Sequence, residues 1–293
     1  MIRESYEALV HKGFGPEGPD TGNPEVLAWL IRRNGLEMSH LSRGSHIGSV
    51  FSVAEIIAVL YTSVLRVDPA HPDWPGRDRL ILSKGHAGSA VYAALAERGF
   101  FPVETLKTHY ANGSVLSGHV SHKGVPGVEV STGSLGHGLG IAAGMALGAR
   151  MDGSPWRTFA VLGDGECDEG SVWESALQAA QYGLDRLTAI VDYNHMQSLT
   201  SVEKTLRLEP FEAKWKDFGW NTKSVDGHSI PALQEAFRWA ESQAGSGRPS
   251  VILAHTVKGK GVSFMENNIL WHYRTPQGEE YEAALKELEE HRP

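Results

Sequence analysis

The stretch that decides the fold runs from residue 158 to residue 194, with the sequence TFAVLGDGECDEGSVWESALQAAQYGLDRLTAIVDYN. It starts and ends with short apolar runs, Thr158–Leu162 and Leu187–Val191, in which apolar and polar residues do not alternate. Such runs are typical of strands that are buried on both faces of a parallel sheet. The segment between them has apolar residues at helical spacing and predicts a helix. The stretch therefore predicts a strand–helix–strand unit with two parallel, neighbouring strands.

The rest of the chain continues this alternation of strands and helices. Further strands are predicted at Arg79–Ser83, Asn221–Val225 and Pro249–His255, with helices between them. Residues 52–55 (SVAE) predict a capping box that opens an apolar helix. We expect an α/β fold with a doubly wound, mainly parallel sheet and helices on both of its faces. We expect one domain over residues 1–293, with a polar lead-in at 1–22 and a charged, solvated helical tail at 276–293.

The composition argues against several classes of protein. The 293 residues include 27 Lys and Arg against 35 Asp and Glu, which gives a formal net charge of −8. Such a surface does not attract nucleic acid or an anionic membrane, although it is compatible with a local basic pocket for a phosphorylated small molecule. No apolar run approaches the ~18 residues of a membrane span, and the first residues lack the apolar core of a secretory signal. Because the chain has a single cysteine, which fits a reducing compartment, we expect a cytoplasmic protein.

Two polar residues follow the strands of the deciding stretch. Asp164 and Asn194 come directly after two parallel strands, whose carboxyl ends meet at the edge where ligands bind in open α/β sheets. A carboxylate, an amide oxygen and a main-chain carbonyl form an incomplete oxygen shell that suits Mg²⁺ with a phosphate ligand. Gly165 would let the backbone approach that phosphate closely. The alternative is that Asp164 only caps the following helix and Asn194 only ends a strand, and the residues alone leave both interpretations open.

A glycine-rich segment, Gly133–Gly140, invites comparison with the nicotinamide-dinucleotide fingerprint. Its glycines have one residue too many in the last gap, and no acidic residue follows at the distance that this fingerprint requires. We therefore regard a nicotinamide site as the weaker interpretation. The other interpretation is structural, because Gly140, Gly144 and Gly148 are four residues apart and would permit close packing of helices.

Histidines in loops rich in Gly and Ser are the remaining candidates for chemistry. They are His46, His86, His119 and His272. A zinc site is disfavoured because no third ligand follows the pair of histidines at 119 and 122 at a recognisable spacing. Dispersed histidines fit better as neutral donors to phosphate and hydroxyl groups in a pocket. Cys167 has no base in a recognisable motif and is expected to be a packed thiol.

Five blocks in order resemble one known family. HIGS at 46–49, LSKGHA at 82–87, PGVEVSTGSLGHGL at 126–139, GDGECDEG at 163–170 and DYNHMQ at 192–197 are similar to the thiamine-diphosphate-binding half of transketolases. The resemblance covers roughly residues 20–275 and implies the pyrophosphate-type thiamine-diphosphate-binding fold. The length resembles the N-terminal subunit of split transketolases, which transfer a two-carbon ketol unit from a ketose or ketose phosphate to an aldose acceptor.

The resemblance also implies roles for individual residues. Asp164, Asn194 and the main-chain oxygen of Met196 would hold Mg²⁺ or another divalent cation such as Ca²⁺ or Mn²⁺. The cofactor-binding residues would be His86, Gly133, Ser134, Leu135, Gly165, Glu166, Asn194 and His272. Four histidines, His46, His86, His119 and His272, would be catalytic, since an imidazole pKa near neutrality suits proton transfer. Glu169 resembles an acidic residue near the family's subunit interface.

In the family, one part of the active site belongs to the other half of the enzyme. That half supplies the Glu that activates the cofactor and most of the Arg residues that bind sugar phosphates. We therefore expect a partner chain with the pyrimidine-binding and C-terminal domains, as an α₂β₂ assembly, and no turnover by this chain alone. The alternatives are a subunit of another thiamine-diphosphate enzyme, of the 2-oxo acid dehydrogenase E1 or deoxyxylulose-phosphate synthase type, or a non-catalytic regulatory subunit.

Overall fold

A five-stranded parallel sheet organises the computed structural model, which describes residues 5–15 and 17–293. The strands are β1 (Arg79–Leu82), β2 (Thr158–Gly163), β3 (Leu187–Tyr193), β4 (Asn221–Asp226) and β5 (Ser250–His255). Their order across the sheet is β1-β2-β3-β5-β4, and every neighbouring pair is parallel. The predicted α/β class with a parallel sheet is confirmed.

Helices of very different lengths surround this sheet. They are α1 (Tyr6–Val10), α2 (Pro24–Ser42), α3 (Ile47–Ser52), α4 (Ala54–Val59), α5 (Gly88–Glu97), α6 (Gly138–Met151), α7 (Gly170–Gln181), α8 (Val202–Thr205), α9 (Phe211–Asp217), α10 (Ile230–Ser242), α11 (Leu270–Tyr273) and α12 (Glu279–Glu290). A π-helical turn (Leu60–Val64) and 3₁₀ turns (Gly85–Ala87, Val103–Thr108, Gly165–Asp168) complete the regular structure. Asn23 caps α2 as a predicted helix start should, since its Oδ1 accepts from Glu25 N at 2.8 Å.

The order of the strands explains why both faces of the sheet are covered. The chain advances from β1 to β3 and on to β4, then returns to β5, so right-handed crossovers place α6, α7 and α9 on one face and α10 on the other. Two apolar cores result, one beneath α6, α7 and α9 and one beneath α2, α4, α5 and α10. Neighbours on a strand, such as Val161 and Leu162, point into different cores. This is why the strands show no alternation of polar and apolar residues.

The predicted capping box is wrong. Helix α4 begins after Val53 and has no side-chain cap, because Ser52 still belongs to α3 and is completely buried. The hydroxyl of Ser52 donates instead to Asp192 Oδ2 at 2.6 Å and lies 3.1 Å from Ser49 O. A residue predicted to be a local cap therefore belongs to a network at the sheet edge.

The glycines predicted to permit close helix packing on α6 do so only in part. An added Cβ at Gly140 would lie 3.0 Å from Ser175 Oγ, whereas at Gly144 and Gly148 it would meet no atom within 4 Å. Helix α6 carries no charged residue before Arg150, and its side with Gly144 is nevertheless exposed. Its apolar face is therefore partly uncovered among the described residues.

Both ends of the described chain pack against the body more than we expected. Within the polar lead-in, residues 1–4 and 16 lie outside the described residues, and α1 buries Tyr6 and Val10. The tail helix α12 has one solvated side but buries Leu288, whose carbonyl accepts from Trp29 Nε1 at 2.8 Å. Among the described residues, no helix has the length and apolar character that crossing a bilayer requires.

Candidate active site

A cleft of about 270 Å³ opens at the carboxyl edge of the sheet. Four neighbouring strands supply it, because Lys84 follows β1, Asp164 follows β2, Asn194 follows β3 and Lys258 follows β5. The cleft is lined by His46, Ser49, Lys84, His86, His119, Gly133, Leu135, Gly163, Asp164, Gly165, Glu166, Asn194, Met196, Gln197, Ser198, Lys258, His272 and Tyr273. It lies where ligands bind in open parallel sheets.

The structure brings nearly all predicted site residues to this cleft. The exception is Ser134, which is exposed and does not line it, although Gly133 and Leu135 on either side do. The prediction for Ser134 came from its place in a motif, which does not fix the direction of a side chain. Glu169, which was expected near a subunit interface and not in the cleft, is exposed at the N-terminus of α7, and its role there stays a prediction.

The predicted metal ligands provide oxygen atoms that are held by the backbone. Asp164 Oδ1 accepts from Gly165 N at 2.7 Å, and its Oδ2 accepts from His195 N at 2.5 Å. The Asn194 Oδ1 accepts from Met196 N at 3.1 Å. Burial, together with the carboxylate of Asp192, raises the pKa of Asp164 to about 7. A divalent cation would relieve this cost of a buried charge, so the residues present fit a cation that prefers oxygen ligands.

Four histidines surround the cleft although they come from four separate loops. The ring centroid of His46 lies 5.2 Å from that of His86, 5.7 Å from that of His119 and 4.8 Å from that of His272. His46 adopts a left-handed backbone, with φ of 73°, and its N–H donates to His272 O at 2.8 Å. This backbone hydrogen bond holds His46 and His272 next to each other although they lie more than 200 positions apart in the sequence.

These histidines are neutral at physiological pH. Burial, with the charges of His119, Lys258 and Lys84, lowers the pKa of His46 to about 4. Burial and Lys258 lower the pKa of His272 to about 3. The pKa of His86 is lowered by burial and Lys84, and that of His119 by burial. These pKa values lie below the ordinary imidazole value, so the rings fit the expectation of neutral donors and acceptors for hydroxyl and phosphate groups, and their catalytic role stays a prediction.

Two buried lysines are functional candidates that the sequence analysis missed. Lys84 and Lys258 are 1 % and 2 % exposed, and both line the cleft. Lys258 Nζ donates to His272 Nδ1 at 2.8 Å, which leaves the proton of that ring on Nε2. Their signal was their position, directly after apolar strands at the edge that holds Asp164. They place two ammonium groups within reach of a phosphorylated ligand in the cleft, although Lys84 also pairs with Asp192.

The carboxylate of Glu166 already has partners within the chain. Its Oε1 accepts from Ser83 Oγ and, at 2.9 Å, from Gly136 N, and its Oε2 accepts from Gly163 N at 3.1 Å. Glu166 therefore holds the glycine-rich loop against β1 and β2. A structural role fits this geometry better than the predicted direct contact with a cofactor.

Neither the single cysteine nor a cluster of metal-ligating side chains offers a second candidate site among the described residues. Cys167 is fully buried, and burial raises the pKa of its thiol, which fits the expected packed thiol. Among residues 5–15 and 17–293, no three His, Cys, Asp or Glu side chains form a group that could hold a metal ion. A cation at the cleft would therefore depend on amide and main-chain oxygens beside Asp164.

Comparisons with known proteins agree with this geometry. The family profile "Transketolase, thiamine diphosphate binding domain" matches residues 27–288. The 6-deoxy-6-sulfo-D-fructose transketolase subunit SqwG of Clostridium sp. (strain MSTE9) is 42% identical over 260 residues, which cover 89% of this chain and 94% of that protein. One of the subunits of the apulose-4-phosphate transketolase of Phocaeicola vulgatus is 39% identical over 266 residues, which cover 91% of this chain and 94% of that protein.

A solved structure extends the similarity to the fold. Transketolase from Campylobacter jejuni superposes with a TM-score of 0.85 at 27% sequence identity, over 91% of this chain but only 42% of that chain. The chain is thus as long as the subunits of divided transketolases and spans less than half of an undivided one. It belongs to the transketolase family and carries that family's thiamine diphosphate binding domain.

Proposed function

We propose that this chain is the thiamine-diphosphate-binding subunit of a two-chain transketolase. The observation that carries the proposal is the single cleft in which Asp164 and Asn194 lie beside four neutral histidines and two buried lysines. Residues 1–293 would act as one binding domain, in the cytoplasm. The chemistry would be transfer of a two-carbon ketol unit from a ketose or ketose phosphate to an aldose or aldose phosphate.

We infer that Asp164, Asn194 and the main-chain oxygen of Met196 hold Mg²⁺, Ca²⁺ or Mn²⁺. The carboxylate and the amide oxygen are both anchored by backbone N–H groups, which favours a fixed cation position. Met196 is itself fixed, since it forms a β-bridge with Ser201. A cation here would balance the buried negative charge of Asp164 and attract the phosphate groups of a bound ligand.

The diphosphate of the cofactor would lie along the basic side of the cleft. Lys84 and Lys258 supply charge there, and His86 and His272 supply neutral hydrogen-bonding groups. Since Lys258 occupies Nδ1 of His272, the protonated Nε2 is free to donate. Gly165 permits close approach of the backbone at the carboxyl end of β2.

The donor sugar would be oriented by His46 and His119. When bound, thiamine diphosphate acts as the electron sink for breaking and forming the carbon–carbon bond. The low pKa values of these histidines keep their rings neutral, so that each ring can donate one hydrogen bond and accept another. A neutral imidazole suits the hydroxyl groups of a ketose and can accept a proton without a change of position.

A partner chain is part of the proposal. Apolar side chains near the cleft are exposed, among them Tyr273, Leu270 and Leu199. Exposed apolar surface of this kind marks an interaction site, and the partner would be the chain with the pyrimidine-binding and C-terminal domains, in an α₂β₂ assembly. The names of the two relatives contain different sugars, so we confine the substrate to the class of ketose donors and aldose acceptors.

Calorimetry on the full chain tests the cofactor site. We expect thiamine diphosphate with Mg²⁺ to bind the wild type, and Asp164→Ala to lose this binding by at least tenfold in Kd. Asp152→Asn is the matched control, because Asp152 is exposed at the end of α6 and should bind as the wild type does. Equal binding by the wild type and Asp164→Ala would remove Asp164 from the metal site. Assays of the assembled complex with xylulose 5-phosphate and ribose 5-phosphate, against pyruvate, then separate transketolase from other thiamine-diphosphate chemistry.

A further inference from the structure

The side chain of Asp192 accepts hydrogen bonds from four other side chains at the carboxyl edge of the sheet, although it does not line the cleft. It is completely buried near the carboxyl end of β3. Its Oδ2 accepts from Ser52 Oγ at 2.6 Å, from Lys84 Nζ and from Asn194 Nδ2 at 3.3 Å. Its Oδ1 accepts from Thr256 Oγ1. One carboxylate therefore ties together α3, the ends of β3 and β5 and the loop after β1.

The contact with Asn194 has a specific chemical consequence. A carboxamide can turn by 180° with little change in shape, which exchanges its oxygen and its nitrogen. The ionised Asp192 can only accept, so it selects the Asn194 Nδ2 as its partner. The N–H of Met196 can only donate, so it selects Oδ1, at 3.1 Å. Both neighbours impose the same orientation, with the oxygen directed away from Asp192.

We propose that Asp192 is a positioning residue that fixes the amide of Asn194 with its oxygen available to the divalent cation. The inference rests on the proposed function, because it requires the cation at Asp164 and Asn194. A carbonyl oxygen has two lone pairs, so Oδ1 can bind a cation while it accepts from Met196 N. A turned amide would present N–H groups, which do not bind cations. Residues behind a metal ligand typically change affinity by about 10- to 100-fold when they are lost.

The test is a titration of the full chain with Mn²⁺ in the presence of thiamine diphosphate, followed by electron paramagnetic resonance. We expect Asp192→Asn to weaken Mn²⁺ binding by about 10- to 100-fold, because a neutral amide oxygen accepts from Asn194 Nδ2 more weakly than the carboxylate does and so holds the amide of Asn194 less firmly. The affinity for thiamine diphosphate, measured without metal, provides a second readout. We expect Asp192→Asn to change this affinity less than it changes the affinity for Mn²⁺.

Two further variants separate positioning from a general structural role. Thr256→Val removes a donor to the same carboxylate but leaves its contact with Asn194, so it should change Mn²⁺ affinity less than threefold. The double variant Asp192→Asn/Asn194→Asp should recover most of the Mn²⁺ affinity, because a carboxylate at position 194 presents oxygen in both orientations. Urea unfolding of each variant shows which losses come from folding.

The outcomes are distinct. The inference is overturned if Asp192→Asn binds Mn²⁺ like the wild type, if Thr256→Val loses as much affinity, or if the double variant shows no recovery. Absence of Mn²⁺ binding by the wild type would instead overturn the proposed function, and this inference with it. A loss in Asp192→Asn with recovery in the double variant supports the inference.

Discussion

Single buried charges in this protein depend on partners that are distant in sequence. Glu55, on α4, pairs with Arg32 at 2.6 Å and contacts His228 Nδ1 at 3.0 Å. His228 in turn accepts from Val257 N at 2.8 Å through Nε2. Three elements therefore meet at one carboxylate, whose ionisation contributes to the stability of the fold.

Glu55 makes stability dependent on pH. Burial alone would raise the pKa of Glu55, but the Arg32 guanidinium and the His228 ring hold this pKa at about 2. The ionised carboxylate stabilises the folded state fully above the ordinary pKa of about 4.5, and this contribution is lost as the pH falls towards 2. We expect Glu55→Gln to lower the free energy of unfolding by about 3 kcal/mol at pH 7. In urea unfolding, the difference from the wild type should shrink steadily below pH 5, and a difference independent of pH would contradict this account.

Lys258 controls the protonation of the neighbouring histidine. Because its charge is one cause of the low pKa of His272, we expect Lys258→Met to raise that pKa from about 3, while burial still keeps it below 6.5. An NMR titration of the ring protons checks this, with assignment by His272→Gln. Lys260→Met is the control, since Lys260 is partly exposed and pairs with Glu266 at 3.4 Å. An unchanged pKa of His272 in Lys258→Met would contradict the contact.

At the scale of elements, a glycine in a turn and a glycine in a helix have different roles. An added Cβ at Gly85 would lie 2.6 Å from the carbonyl carbon of Thr132 and 2.7 Å from Gly133 N. The 3₁₀ turn after β1 therefore requires glycine in order to pack against the loop that leads to α6. An added Cβ at Gly144, within α6, would meet no atom within 4 Å, so this glycine makes no close contact that a larger side chain would prevent and only increases the conformational freedom of the unfolded chain.

These two glycines provide a matched pair of variants. We expect Gly85→Ala to lower the free energy of unfolding by about 2 kcal/mol or more, because the backbone of the turn or that of Thr132 and Gly133 must move to make room for the methyl group. Gly144→Ala should raise it by about 0.5–1 kcal/mol, since alanine favours an exposed helix position. Urea midpoints of the isolated full chain measure both changes, and the same sign for both would contradict the packing described for α6 and the turn.

At the scale of the whole molecule, parts of the surface are apolar and exposed. Helix α6 is apolar on nearly every side, a composition that is typical of a covered helix, and Met151 at its end and Leu177 on α7 are exposed. The cleft also opens to solvent beside the exposed Tyr273. These surfaces favour an assembly in which another chain covers both regions.

We therefore expect the purified chain to bind thiamine diphosphate but to show no ketol transfer alone. Activity should appear on addition of the partner chain, because an open cleft admits water and lacks the groups that the other half supplies. A coupled assay with xylulose 5-phosphate and ribose 5-phosphate measures this, with Asp164→Ala in the complex as the negative control. Full turnover by the chain alone would refute the two-chain proposal.

The amino-acid sequence alone determined the parallel sheet and the location of the site. Unalternated apolar runs specify strands that are buried on both faces, and right-handed crossovers bring Asp164 and Asn194 to the same edge. Only the tertiary structure decided which side chains meet there. It lowers the pKa values of the histidines, buries Lys84 and gives Asp192 its hydrogen-bond partners. The physical reason is that pKa values and hydrogen bonds depend on burial and on distances between segments far apart in sequence, whereas strand patterns and strand ends are local.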